Sequence, residues 1–185
     1  MDTFEVNELI TYLNIPQLYP VYLVYMGVAA CLRALLYKYE TTGSAWWFYA
    51  YAIPAWPGTV GHELAHYLVG VVTKQHPSSF SVIPNHKTGG MGSVKISPSK
   101  LGVGIGSMLT AMAPWVLLPL SVVMVRDVGY SLSPNWEGAT QWDFIKVWLA
   151  SSMFLQGVPS GADFKIAAPG VVVIVITWWL LNFAF

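Results

Sequence analysis

The chain has 185 residues, 55% of them hydrophobic and 10% charged, with a formal net charge of +0. A mean hydropathy of +0.54 leaves too little polar surface to clothe a soluble globule of this size. With no basic block, charge implies neither nucleic acid nor anionic lipid headgroups as partners, and no nucleic acid is expected; a single cysteine, Cys31, excludes an intrachain disulfide. The composition is that of an integral membrane protein, with Cys31 as a small core residue in an apolar run.

Residues 1–18 open with Asp-Thr-Phe-Glu after Met1, without the positive start or cleavage site of a signal peptide, and suggest a polar lead with a surface helix stopped near Pro16. Five hydrophobic segments follow, at about 19–37, 45–73, 101–125, 144–158 and 167–185. Each is judged against the ~20 apolar residues that a bilayer core requires. Between the second and third, Phe80, Val82, Val94 and Ile96 alternate with polar neighbours around the turn residues "HKTGGMG", which predicts a β-hairpin at about 79–97. The expected fold is an all-α membrane protein, a polytopic bundle of about five transmembrane helices with that hairpin between the second and third. One domain covers 1–185, with no repeat and no separating linker.

Lys74, Lys87, Lys95 and Lys100 gather around the hairpin, and cytoplasmic loops carry the excess of Lys and Arg. The hairpin and N-terminus are therefore expected inside and the C-terminus outside. Trp46, Trp47, Tyr49, Tyr51, Trp178 and Trp179 suit membrane interfaces, and Pro54 and Pro57 suit initiation of the second helix more than a kink.

The second segment contains "GHELAHYLVG", residues 61–70. His62 and His66, four residues apart, share one helix face and can reach a single zinc ion at ~2.0–2.1 Å. Glu63 beside them can act as general base toward a zinc-activated water. The competing reading is a buried polar trio satisfied by neighbouring helices. At membrane depth, ionisable groups persist mainly where function or a polar partner holds them, which favours the metal.

Catalytic zinc usually takes three protein ligands. His76 and His86 fall in the polar hairpin region and suit solvated loop positions; Asp127, Glu137 and Asp143 fall on the opposite side by the topology above. Asp163 follows "LQGVPSGAD", where Gly157, Pro159 and Gly161 interrupt a hydrophobic segment, as broken backbone does when it lines a membrane cavity. The alternative is that the span ends at Pro159 and Asp163 caps the next turn. Gly102, Gly104, Gly106, Ala111 and Ala113 suit close helix packing.

The "HELAH" helix, the hairpin ending "GGMGSVKI", the following "AMAPWVLLPL" and "QGVPSGAD" occur in the order seen in site-2 proteases. The resemblance to these intramembrane zinc metalloproteases covers roughly residues 57–168. It implies Zn2+ held by His62, His66 and Asp163, with Glu63 as catalytic base. The family's Asn-x-x-Pro lead appears here as Gln156-Gly-Val-Pro159, the aspartate comes about one residue early, and Phe164 replaces a glycine. No PDZ-like insertion is present, which suggests a minimal core of the family.

The expected activity is that of a zinc metalloendopeptidase, hydrolysing peptide bonds within or near the transmembrane segments of membrane-anchored protein substrates in the lipid bilayer. A substrate segment must first be extended, and the hairpin edge can receive it by strand addition. A zinc-binding scaffold or pseudoprotease would need His62, His66 and Asp163 but not Glu63. A transporter relay lacks the inverted-repeat signature.

Overall fold

Long runs of Leu, Val, Ala and aromatic residues build the helices of this protein, whose computed structural model describes residues 19–97, 104–131 and 139–184. Helix α1 covers Tyr19–Thr42 and α2 covers Ala45–Val72; strands β1, Pro77–Ser81, and β2, Ser93–Ile96, follow. Helix α3, Ile105–Met112, continues through a 3-10 turn at Ala113–Val116 into α4, Leu117–Ser131. Helices α5, Gln141–Gln156, and α6, Gly161–Ala184, complete the order. The expected N-terminal surface helix, Lys100, Gly102 and Glu137 lie outside the described residues.

The protein is mainly helical with one small hairpin, as expected, and three stretches are long and apolar enough to cross a membrane: Val21–Thr42, Ile105–Val128 and Gly161–Leu181. The other two expected spans do not meet that measure. In α2, 28 residues long, His62, Glu63 and His66 dilute the apolar content. In α5, 16 residues reach about 24 Å, short of the ~30 Å hydrocarbon core.

Two apolar clusters hold the bundle. Val21 and Tyr25 of α1 meet Val125 and Val128 of α4 and Val147 and Ala150 of α5, while Leu32 of α1 meets Tyr51 and Ala55 of α2. Buried hydroxyls add directional links where apolar faces alone give little preference in lipid. Tyr25 pairs with Ser121 at 3.0 Å, and Ser151 Oγ donates to the Tyr25 carbonyl at 3.0 Å. Cys31 lies on the exposed surface of α1, not in the core.

Pro54 and Pro57 are interior to α2 rather than at its start. Proline interrupts the helical ladder, and α5 supplies bonds at the interruption. The Gly58 N–H donates to Ser152 Oγ at 2.7 Å, Ser152 Oγ donates to the Ala55 carbonyl at 3.0 Å, and Trp148 Nε1 donates to the Pro54 carbonyl at 2.9 Å. A Cβ on Gly58 would collide with the Ser152 backbone, so glycine sets the closest approach of the two helices. This fixes the register between α2, which carries the histidines, and α5, which leads to Asp163. Gly170 does the same for α6, resting on the Gly104 backbone and Met108 of α3.

The hairpin is antiparallel, pairing Phe80 with Val94 and Ser81 with Ser93. It does not stand off one end of the bundle, as a polar loop on one membrane side would. It folds back along α2: the Phe80 ring packs on Tyr67 and Trp56 Nε1 donates to the Val82 carbonyl at 2.8 Å. At the tip, the His86 ring is 6.3 Å from Phe48 and from Tyr49. Phe48 lies about 36 Å from the Val72 end of an α-helix at 1.5 Å per residue. His86 is thus a half-buried contact to α2, whereas His76 is exposed in the α2–β1 turn. Just before the return strand, Met91 packs against the Leu32, Tyr51 and Ala55 cluster.

Candidate metal centre

Helical spacing places His62 and His66 one turn apart on α2, and each imidazole is fixed by a carbonyl that its own helix leaves available. Gln156 ends α5, so its carbonyl is among the last four without an intrahelical donor. It accepts a hydrogen bond from His62 Nδ1 at 2.6 Å. Thr110 precedes Pro114 by four residues, and proline has no N–H for the α-helical bond. The Ala113 N–H takes one lone pair of the Thr110 carbonyl, and His66 Nδ1 donates to the same oxygen at 2.7 Å.

A carbonyl can only accept, so both rings carry their proton on Nδ1, and in the neutral form both Nε2 atoms present lone pairs. Those nitrogens lie 3.0 Å apart. Asp163 completes the convergence, with Oδ2 3.7 Å from His62 Nε2 and Oδ1 3.3 Å from His66 Nε2. Three acceptors facing one another call for a cation. A tetrahedral ion with bonds of ~2.0–2.1 Å holds its ligand atoms about 3.3 Å apart, and the observed separations bracket that value. His62, His66 and Asp163 can therefore hold a metal ion.

Asp163 combines both roles that its sequence context allowed. As the third residue of α6 it accepts the Ser160 N–H through Oδ2 at 2.7 Å, while its own N–H donates to Ser160 Oγ at 3.2 Å. This reciprocal cap anchors the carboxylate at a helix N-terminus. The same group still faces the histidines. On the opposite side, Gln156 Nε2 donates to the Tyr51 hydroxyl at 2.9 Å. Tyr51 is only 4% exposed, so it belongs to the interior support of the site and not to an interfacial belt.

Glu63 is buried beside His62 and His66, and its carboxyl group faces Gly92 of the hairpin. A cavity of about 600 Å³ opens in front of these residues. Its walls combine apolar side chains, Val94 and Ile96 of β2, Ala111 of α3 and Ile166 of α6, with polar ones such as Thr59, Ser93 and Thr110. Gln75 also reaches this cavity; its amide oxygen accepts a hydrogen bond from Ser107 Oγ at 3.2 Å.

The remaining acidic candidates do not join the group. Asp127 is exposed and paired with Lys146 at 2.7 Å. Asp143 caps α5 through Thr140, at the end of that helix opposite Gln156 and about 20 Å away along its axis. Sequence alone did not single out Thr110, Tyr51, Ser160 or Gly92 as supports. Two of these had a readable signal: Thr110 stands four residues before a proline, and Ser160 stands three before an aspartate at a helix start.

No family model matches this chain, no curated protein matches it in sequence, and no solved structure matches it in fold.

Proposed function

We propose that this protein is an intramembrane zinc metalloprotease of the site-2 protease type, cleaving membrane-anchored proteins within or near their transmembrane segments. The observation that carries the reading is the convergence of His62, His66 and Asp163 with the Glu63 carboxylate beside them, facing a cavity among apolar helices. A nitrogen and carboxylate donor set suits zinc. A site meant only to hold a metal gains nothing from a second carboxylate buried beside its three ligands, and this favours an enzyme over a scaffold.

Bound zinc supplies a Lewis acid that acidifies water and polarises a carbonyl. The protein's residues do the rest. His62 and His66 are held at fixed tautomer and angle by the Gln156 and Thr110 carbonyls, an arrangement that tunes ligands as well as orienting them. Glu63 takes a proton from the attacking water and returns it to the departing amine. β2 has no strand partner on its outer edge among the described residues, and its Val94 and Ile96 line the cavity. An unwound substrate segment adds there as a third strand, its amide exposed to attack.

In this reading α1, α2, the α3–α4 rod, α5 and α6 all cross the bilayer, and the exposed Ile53, Leu68 and Val72 of α2 and Phe144 of α5 face lipid. The N-terminus lies inside, together with the base of the hairpin at Lys74 and Lys95, and the C-terminus lies outside. The hairpin tip reaches toward the first turns of α2, so Lys87 is set apart from the other lysines in that balance. The test is cleavage of a single-span reporter by the purified chain in proteoliposomes. Cutting that stops on chelation and resumes with zinc supports the proposal, and an uncut reporter in zinc-replete protein removes it.

A further inference from the structure

We infer that Gly92 is a positioning residue for Glu63: the hairpin lacks a side chain there because the Glu63 carboxylate occupies that space. The inference rests on the proteolytic reading for its consequence but on a separate observation for its geometry. A Cβ built on Gly92 would lie 2.7 Å from Glu63 Cγ and 2.9 Å from Glu63 Oε1. Real Cβ atoms essentially never approach so closely, so any substitution must displace either the strand or the carboxylate.

The strand is not free to yield. Immediately before Gly92, Met91 is packed against Leu32, Tyr51 and Ala55 between α1 and α2. Immediately after it, Ser93 and Val94 are paired with Ser81 and Phe80, and the far strand is tied to α2 through Val82 and Trp56. The hairpin is clamped on both sides of the glycine, which makes Glu63 the movable partner. Its flexible side chain turns away and carries the carboxylate out of reach of the water beside the metal ligands. Displacement on the scale of 1 Å at a reacting group costs about a hundredfold in rate. The three atoms nearest the added Cβ all belong to Glu63 and none to the metal ligands, so metal occupancy is expected to hold.

The full chain in detergent or proteoliposomes tests this with Gly92→Ala and Glu63→Ala, singly and combined, with Gly90→Ala as a control on the same hairpin. Gly92→Ala is expected to keep wild-type zinc content and KM while kcat falls about a hundredfold; Gly90→Ala keeps both. Glu63→Ala removes the Cγ, Cδ and Oε1 atoms that the new methyl would meet, so adding Gly92→Ala to it causes no further loss. Wild-type turnover in Gly92→Ala, or losses that multiply in the double variant, would overturn the inference. The second arm needs no substrate. Gly92→Ala lowers the thermal midpoint beside Glu63 but not beside Glu63→Ala, because the group met by the new methyl is gone. Equal lowering in both backgrounds would overturn the contact, and this arm decides it even where no reporter is cut.

Discussion

The Nε2 atoms of His62 and His66 face each other at 3.0 Å while both Nδ1 atoms are committed to backbone carbonyls. Neutral imidazoles in that arrangement put two lone pairs in contact. Asp163 adds a carboxylate to the same point instead of relieving it with a donor. The arrangement is therefore organised around positive charge, and a metal ion is the form of positive charge that uses all three acceptors together.

Glu63→Gln keeps the volume of the side chain and removes its basicity. Metal content is expected to match wild type, and reporter cleavage to fall by roughly 10²–10⁴, the usual contribution of a general base. Elemental analysis and a gel-based cleavage assay on the same preparation check both halves. Equal turnover would assign the base elsewhere.

Asp163→Ala removes a ligand and a helix cap at once, whereas Ser160→Ala removes the cap's hydroxyl alone. The first is expected to lose metal and stability. The second is expected to cost about 1 kcal/mol of stability, the usual worth of an N-cap, and to retain metal. Thermal denaturation with parallel metal analysis separates the two, and metal loss equal to that of Asp163→Ala in Ser160→Ala would show that the cap is indispensable to ligation.

Pro114→Ala restores an N–H that competes with His66 for the Thr110 carbonyl. Losing an outer hydrogen bond on a metal-binding histidine typically costs 10–100-fold in affinity. Competition with a calibrated chelator should show a drop of about that size, with His62-side variants such as Tyr51→Phe showing less.

Much of this arrangement was legible in the amino-acid order, because its signals are local. His62, Glu63 and His66 announce themselves by helical spacing, and the period-two pattern of Phe80, Val82, Val94 and Ile96 marks the strands. Asp163 followed from the broken backbone before it. The path of the hairpin was not legible, because contacts such as His86 with Phe48 and Tyr49 join residues far apart in sequence and no local pattern encodes them. Tyr51 resembled its interfacial neighbours for the same reason: only the fold brings it to Gln156. Pro54 and Pro57 looked like a helix start because the rule for proline ignores partners, and here Ser152 and Trp148 on α5 bond to the interrupted stretch.

Ser152→Ala tests that α5 contact. It leaves the buried Gly58 N–H without its acceptor, a loss of about 1–3 kcal/mol, and a lowered thermal midpoint in detergent should report it. Gly58→Ala is expected to be worse, since its added methyl meets backbone that cannot yield. A midpoint at or above wild type in either variant would contradict the described packing of α2 on α5.

Elemental analysis of the purified full chain beside His62→Ala is the most direct measure of the central claim. The account predicts about one zinc per wild-type chain after exhaustive dialysis and only a small residue in the variant. A wild-type protein that takes up no metal, or a variant that holds as much as wild type, would contradict it.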